Sequence, residues 1–473
     1  MTRSWKAAIL SAAALAFLCK ILLALNTWGT NDVYTWERFA DWSRVFGVRL
    51  YLADHLFNHP PSMLHALHAM QWLARVTGIF FPFWLRLPAI MADAASLWIV
   101  WQMLQSRFDD SRVRWGLLLL AACPALILIS GFHGNTDPVM IFFLLLSVWL
   151  TEKASDLEAG AAFGAAMCVK VVPLIVLPVL FFYRSGLRRR TLFSAAAIAV
   201  ILVCWAPYLY QNPMAILHQV FGYKSDYGHW GLSYFFVHSR SFPHRGHVAY
   251  QRLGGPAIIA SIALAAFLIN RSEPRPDLYR QVGAAFFIFL SVTGGFGVQY
   301  LAWLVPWTVG LDLFALAFFQ LASGIFLFLT YNYWSGGLPW YLADSYYTGD
   351  FGEPMAYFQV VAWLSVLALA WSSLRQIGWP QQAARKASVR WQLAFSLLAV
   401  PVLFYPMWKQ LRKDARAYPP AADRKALLAI HARENAYLSE RLRTRLAGAN
   451  DEIAFPREPD DPRRAARFLS HSE

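Results

Sequence analysis

Long apolar runs alternate with short polar turns along almost the whole chain. The first run spans about Ala7 to Leu25 and follows Arg3 and Lys6. Later runs begin near Trp84, Trp115, Val139, Leu157, Leu192, Pro256, the 280s, Leu301, Asp312, Ala356 and Trp391. Runs of this length and polarity predict transmembrane helices, about 13 crossings in all, and an all-α polytopic membrane protein. Two segments between the first runs break the pattern. Residues 33–57 place Tyr34, Trp36, Phe39, Trp42, Val45 and Phe46 at helical spacing with Arg38, Asp41 and Arg44 between them. Residues 62–80 follow Pro60-Pro61 and carry His65, His68, Gln71 and Arg75. Both predict helices lying at the membrane interface in the first outer loop, the second opened by its prolines.

Three of these runs are short. Val139–Leu150 and the two runs after Leu157 are about half-length, and the latter two meet at Lys170 with Pro173 and Pro178 just beyond. Broken helices are tolerated at membrane depth only where they line a cavity or are buried in protein. A lysine at such a vertex is a functional candidate by default.

Charge sets the orientation. Arginines gather in the short loops 106–114, 184–190 and 271–280. The turns 131–138 and 294–300 and the loop 333–355 contain no lysine or arginine. The positive-inside rule puts the arginine loops in the cytoplasm and these turns outside, together with Asp32 and the long loop 210–252. The tail from residue 408 is polar and basic, with a helix expected near 421–446, and its side of the membrane stays open. The chain thus divides into a transmembrane domain, 1–407, and a soluble basic tail, 408–473.

Composition narrows the class. The 473 residues are 58% hydrophobic and only 15% charged, against about a quarter in soluble domains. The net charge of +14 therefore reflects cytoplasmic loops and tail, and no nucleic-acid partner is expected. Cys19, Cys123, Cys168 and Cys204 all fall in apolar runs without metal-type spacing, so neither a disulfide framework nor a zinc site is expected.

The candidate chemistry lies on the outer side. Asp32 opens the first outer loop, although an aspartate there also suits a cap for the helix starting near Val33. His133, Asn135 and Asp137 share the turn 131–138. Lys224 and His229 lie in the loop 210–252, and Gln299 and Tyr300 close the turn 294–300. Transfer of a sugar from a lipid phosphate needs a base for the acceptor hydroxyl. Its leaving group is already a weakly basic anion, so cations and hydrogen-bond donors suffice there. A hydrolase would be expected to show two working carboxyl groups facing one bond.

The order of these elements resembles the GT-C superfamily of polyprenyl-phosphate-sugar-dependent glycosyltransferases. Asp32-Val33-Tyr34-Thr35-Trp36-Glu37-Arg38 resembles the loop bearing the catalytic aspartate of those enzymes, and His59-Pro60-Pro61 is similar to their (Tyr/His)-Pro-Pro step. Gly131-Phe132-His133-Gly134-Asn135-Thr136-Asp137 resembles the polar turn after the third span in the dolichyl-phosphate-glucose enzymes and in bacterial polyprenyl-phosphate-mannose relatives. Lys170-Val171-Val172-Pro173 resembles the Lys-x-x-Pro step of both groups. The turn Gly295-Phe296-Gly297-Val298-Gln299-Tyr300 stands where the glucosyltransferases carry a His-Glu-Lys motif, which this chain lacks.

The resemblance implies an inverting hexosyltransferase of the bacterial inner membrane, with its active site facing the periplasm. The expected partners are a polyprenyl-phosphate-linked sugar donor, a glycan or lipid-linked acceptor, and membrane lipids. Asp32 would be the base, and Lys170, Lys224 and His229 would hold the donor phosphate. Glu37, His59, His133, Asn135, Asp137, Gln299 and Tyr300 would line the sugar and acceptor pocket. No cofactor is required by this chemistry, and a divalent metal is left open. A lipid transporter or flippase is the alternative, and inverted repeats would favour it; the chain shows broken helices but no repeat.

Overall fold

The computed structural model describes residues 2–378, apart from 55, 224, 240–243, 272–274 and 346–352, together with Lys409. The span expected at 391–407, the tail from 408 and Lys224 lie outside the described residues. The chain is an all-α polytopic membrane protein. Among the described residues, seven helices are long and apolar enough to cross a membrane. The half-length runs account for much of the difference from the expected count, because they form short helices and 3-10 turns instead of full spans.

Helix α1 is Arg3–Asn26, α2 is Asn31–Phe46, α3 is Ser62–Thr77 and α4 is Phe81–Leu104. At 16 residues each, α2 and α3 are too short to span and too polar to try. Their apolar faces pack together: Trp36, Phe39 and Trp42 of α2 share one buried cluster with Leu64, Leu67 and Met70 of α3. The third span runs from Ser111 to His133 and is interrupted at Cys123. Pro124, which cannot continue the ladder, restarts the helix at its first position. The span ends in one π-helical turn, Ile129–His133.

Next come α5, Asp137–Glu152, and α6, Asp156–Val169. Lys170 stands at the end of α6 with extended backbone, before a 3-10 turn Val172–Ile175 and the seven-residue helix Leu177–Tyr183. The vertex foreseen at Lys170 is therefore real. Beyond it, α7 covers Leu187–Leu209. The described part of the segment 210–252 is more structured than a loop. It holds helices at Pro213–Gly222 and Gly231–His238, and the next span begins at His244, well before Pro256. The remaining long helices are α8, Leu278–Val292, α9, Leu313–Trp334, and α10, Glu353–Gly378.

Two strand pairs tie the loops together at one end of the bundle. Gly29–Thr30 pairs in parallel with Leu342–Ala343, and Asp226–Tyr227 pairs antiparallel with Gly295–Phe296. The arginine loops meet at the other end. Arg107 pairs with Asp277 at 3.0 Å, and Arg275 donates to the Tyr183 carbonyl at 3.0 Å.

Candidate functional site

The site is built where α1 ends and α2 begins. Thr30 is the N-cap of α2: its hydroxyl oxygen accepts from the Asp32 amide at 3.3 Å. Asp32 is thus not the cap. It sits in the first turn, where a carboxylate suits the helix dipole, with its side chain turned away to other partners. The Thr30 hydroxyl in turn donates to the His133 carbonyl at 2.8 Å, which binds the α2 entry to the end of the third span.

His133 Nε2 lies 3.0 Å from Asp32 Oδ2, and Asn135 Nδ2 donates to the same oxygen at 3.3 Å. The second oxygen, Oδ1, accepts no hydrogen bond among the described residues, and the side chain is 35% exposed. Burial by itself would raise the Asp32 pKa. The neighbouring His133 outweighs it, helped by Lys170 and Asn135, so the carboxyl is held below its ordinary value.

Gly134 makes the turn possible. It has φ +82°, and a Cβ there would lie 2.3 Å from Val33 Cγ2, so only glycine allows the His133 turn to abut α2. Asn135 accepts from the amides of Thr136 and Asp137 at 2.6 and 3.3 Å, starting α5 while its amide nitrogen serves Asp32.

Asp137 is engaged differently. Lys170 Nζ donates to its two oxygens at 3.0 and 3.1 Å, Trp303 Nε1 donates to Oδ1 at 2.5 Å, and the carboxylate is fully buried. Lys170, 12% exposed, lies 5.5 Å above the Tyr300 ring. Tyr300 stacks on Trp303 at 3.9 Å and shares a hydrogen bond of 2.7 Å with Ser225. The strand pair 226–227 with 295–296 thus sets Ser225 on the Tyr300 hydroxyl, and Lys170 lies over the ring of the same tyrosine.

The other expected site residues distribute as follows. His59 packs against Trp36 at 4.2 Å with the rings tilted and is half-buried, with Nδ1 unpartnered among the described residues. Burial first, then Lys170, push its pKa down to about 3 against the pull of Asp32, so the ring is neutral at ordinary pH. Glu37 lies half-buried on α2, and burial first, then Asp41, raise its carboxyl to about 7. Gln299 folds back on its own turn, since a Cβ at Gly297 would meet its amide at 2.8 Å. His229 sits between the strand 226–227 and the helix that starts at Gly231. Among the described residues no group of three His, Cys, Asp or Glu side chains could hold a metal.

Four residues escaped the sequence reading. Arg86, on α4, is fully buried. It donates to the carbonyls of Ala24, Gly131 and Phe132 at 3.1, 3.1 and 3.3 Å and to the Thr27 hydroxyl at 2.9 Å. It therefore staples the end of α1 to the turn that carries His133. Lys20 and Asp93 form a buried pair at 2.5 Å, and Ser130 donates to Asp93 at 2.6 Å. Charges inside apolar runs are expensive, and that cost was the available signal for these three. Tyr331, whose hydroxyl is 3.0 Å from His133 Nδ1, gave no such signal, being one aromatic among many.

With this geometry in hand, residues 57–290 match the model of Glycosyltransferase family 87. This match covers just under half of the chain and supports a GT-C-type polyprenyl-sugar glycosyltransferase. It is also similar to the Dolichyl pyrophosphate Glc1Man9GlcNAc2 alpha-1,3-glucosyltransferase of Arabidopsis thaliana, at 22% identity over 270 residues, 53% of this chain and 51% of that protein. The chain spans about half the length of this curated relative. The family match starts after Asp32 and stops before Gln299.

Proposed function

We propose that this glycosyltransferase moves one hexose, mannose or glucose, from a polyprenyl-phosphate donor to a glycan or lipid-linked acceptor at the periplasmic face of a bacterial inner membrane, with inversion. One observation carries the assignment of the base. Of the two carboxylates beside the polar turn, Asp32 keeps an oxygen without a donor and is partly exposed, whereas Asp137 is buried and bound on both oxygens.

In this mechanism the acceptor O–H gives its proton to Asp32 Oδ1 as its oxygen attacks the anomeric carbon. The new C–O bond forms on one face while the bond to phosphate breaks on the other, and polyprenyl phosphate departs with that electron pair. Lys170 stabilises the departing phosphate with a positive charge that Asp137 and Trp303 hold in place. Lys224 and His229 are assigned to the same phosphate. His59, Asn135, Gln299, Tyr300 and Glu37 are assigned to the sugar and acceptor.

The test compares Asp32→Asn with Asp137→Asn in purified protein, supplying polyprenyl-phosphate glucose and mannose and measuring donor binding in parallel. Asp32→Asn is expected to bind donor and to lose about 10²–10⁴-fold in turnover. Normal turnover in Asp32→Asn beside an inactive, donor-binding Asp137→Asn would move the base to Asp137.

A further inference from the structure

The hydrogen-bond chain does not stop at His133. Tyr331 lies on α9, 198 residues further along the chain, and is fully buried. Its hydroxyl is 3.0 Å from His133 Nδ1, and the two rings lie 5.6 Å apart. Among the described residues the hydroxyl has no other hydrogen-bond partner. Phe132 and Trp334 pack beside the Tyr331 ring at 5.3 and 5.9 Å and hold it in place.

Counting donors fixes every hydrogen in the chain. An ionised carboxylate only accepts, so Nε2 must carry a proton toward Asp32. In a neutral imidazole Nδ1 is then a lone pair, and the phenol O–H fills it. The opposite tautomer would set a lone pair against the carboxylate and leave the phenol proton with no acceptor. An imidazolium would donate from Nδ1 and strand the phenol proton as well. One arrangement satisfies all three groups: Tyr331 O–H to Nδ1, and Nε2–H to Asp32 Oδ2.

We propose that Tyr331 is a positioning residue that selects the His133 tautomer and thereby keeps Asp32 Oδ2 occupied and Oδ1 open to the acceptor hydroxyl. The proposal rests on the assignment of Asp32 as base. Tyr331 touches no substrate; it acts through His133. Orientation by a buried third group is the usual way in which an imidazole is held in one tautomer.

A double-mutant cycle tests it in the full-length protein. Tyr331→Phe removes one oxygen and should lower kcat about 10-fold, the loss expected for one hydrogen bond of about 1.4 kcal/mol, with donor KM unchanged. In His133→Gln the side-chain amide can donate to Asp32 and has no tautomer to choose. There the added Tyr331→Phe change should cost less than about 2-fold, since the two residues act as a unit. Nitrogen chemical shifts in protein labelled with 15N-histidine give a second readout that needs no activity. They should report Nε2–H at His133 in the wild type and a mixture in Tyr331→Phe.

Losses that multiply in the double variant, unchanged kcat in Tyr331→Phe, loss of donor binding in Tyr331→Phe, or a wild-type His133 that is Nδ1–H or imidazolium would each overturn the proposal. Asp32→Asn is assayed alongside. Normal turnover there removes the base assignment and this proposal with it. An inactive Asp32→Asn beside independent losses at positions 331 and 133 removes only the role of Tyr331.

Discussion

His133 Nε2 meets Asp32 Oδ2 at 3.0 Å across 101 residues of sequence. The contact joins the end of the third span to the start of α2, and it is the strongest influence holding Asp32 below the ordinary carboxylate range. A base must be ionised to work, so activity is retained as pH falls until Asp32 is protonated, below its ordinary value of 3.8. In His133→Asn that influence is gone, and only Lys170 and Asn135 still oppose burial, which raises the pKa. The acid limb of kcat/KM should then move to higher pH. A pH–rate profile that stays in place would show that some other group sets the limb.

Lys170 carries two roles that can be separated. Removing it leaves the buried Asp137 unpaired, and breaking a buried pair costs about 3–5 kcal/mol. Lys170→Met should therefore lower both thermal stability and donor affinity. The double variant Lys170→Met/Asp137→Asn should regain most of the stability, because no lone charge remains, yet still bind donor weakly. Recovery of donor affinity in the double variant would show that Lys170 serves structure alone.

Glu37 makes the protein pH-sensitive in the opposite sense to Asp32. Its folded-state pKa of about 7 lies above the ordinary 4.5, so the fold favours its protonated form. Below about 4.5 both states are protonated and the group contributes nothing. Between about 4.5 and about 7 the unfolded chain ionises first and stability falls; above that the penalty is constant, at most about 3 kcal/mol. Glu37→Gln should be more stable than the wild type at pH 8 and equal to it near pH 4. Parallel melting curves at the two pH values decide this.

Orientation is testable at exposed positions of the two ends. In a cysteine-free background, Asp226→Cys should react with an impermeant reagent added from the periplasm. Ser106→Cys and Arg188→Cys, at the arginine-rich end, should not. Asn135 makes a poor reporter because it is buried. Labelling of Arg188→Cys from outside would invert the topology.

The sequence by itself determined the membrane class, the half-length segments around Lys170, the two non-spanning helices of the first loop, and the polar turn His133–Asp137. These are properties of local hydropathy and of where proline, glycine and charge interrupt it, and a chain carries them without reference to its fold. The bounds of the outer segment 210–252 were less legible, since aromatic amphipathic helices and loops have similar composition there.

Only the tertiary structure decided which carboxylate is free. Asp32 and Asp137 look equivalent as letters. What separates them is that Lys170 and Trp303, 33 and 166 residues away from Asp137, converge on it, while Asp32 meets His133 and Asn135 on one oxygen alone. The same holds for Arg86, which reads as a lone charge in an apolar run until α1 and the third span bring their carbonyls to it. Tyr331 becomes distinguishable from the other tyrosines only when α9 packs beside the end of the third span. Hydrogen-bond partnership over such separations follows from helix packing, and packing depends on the shapes of all the spans together.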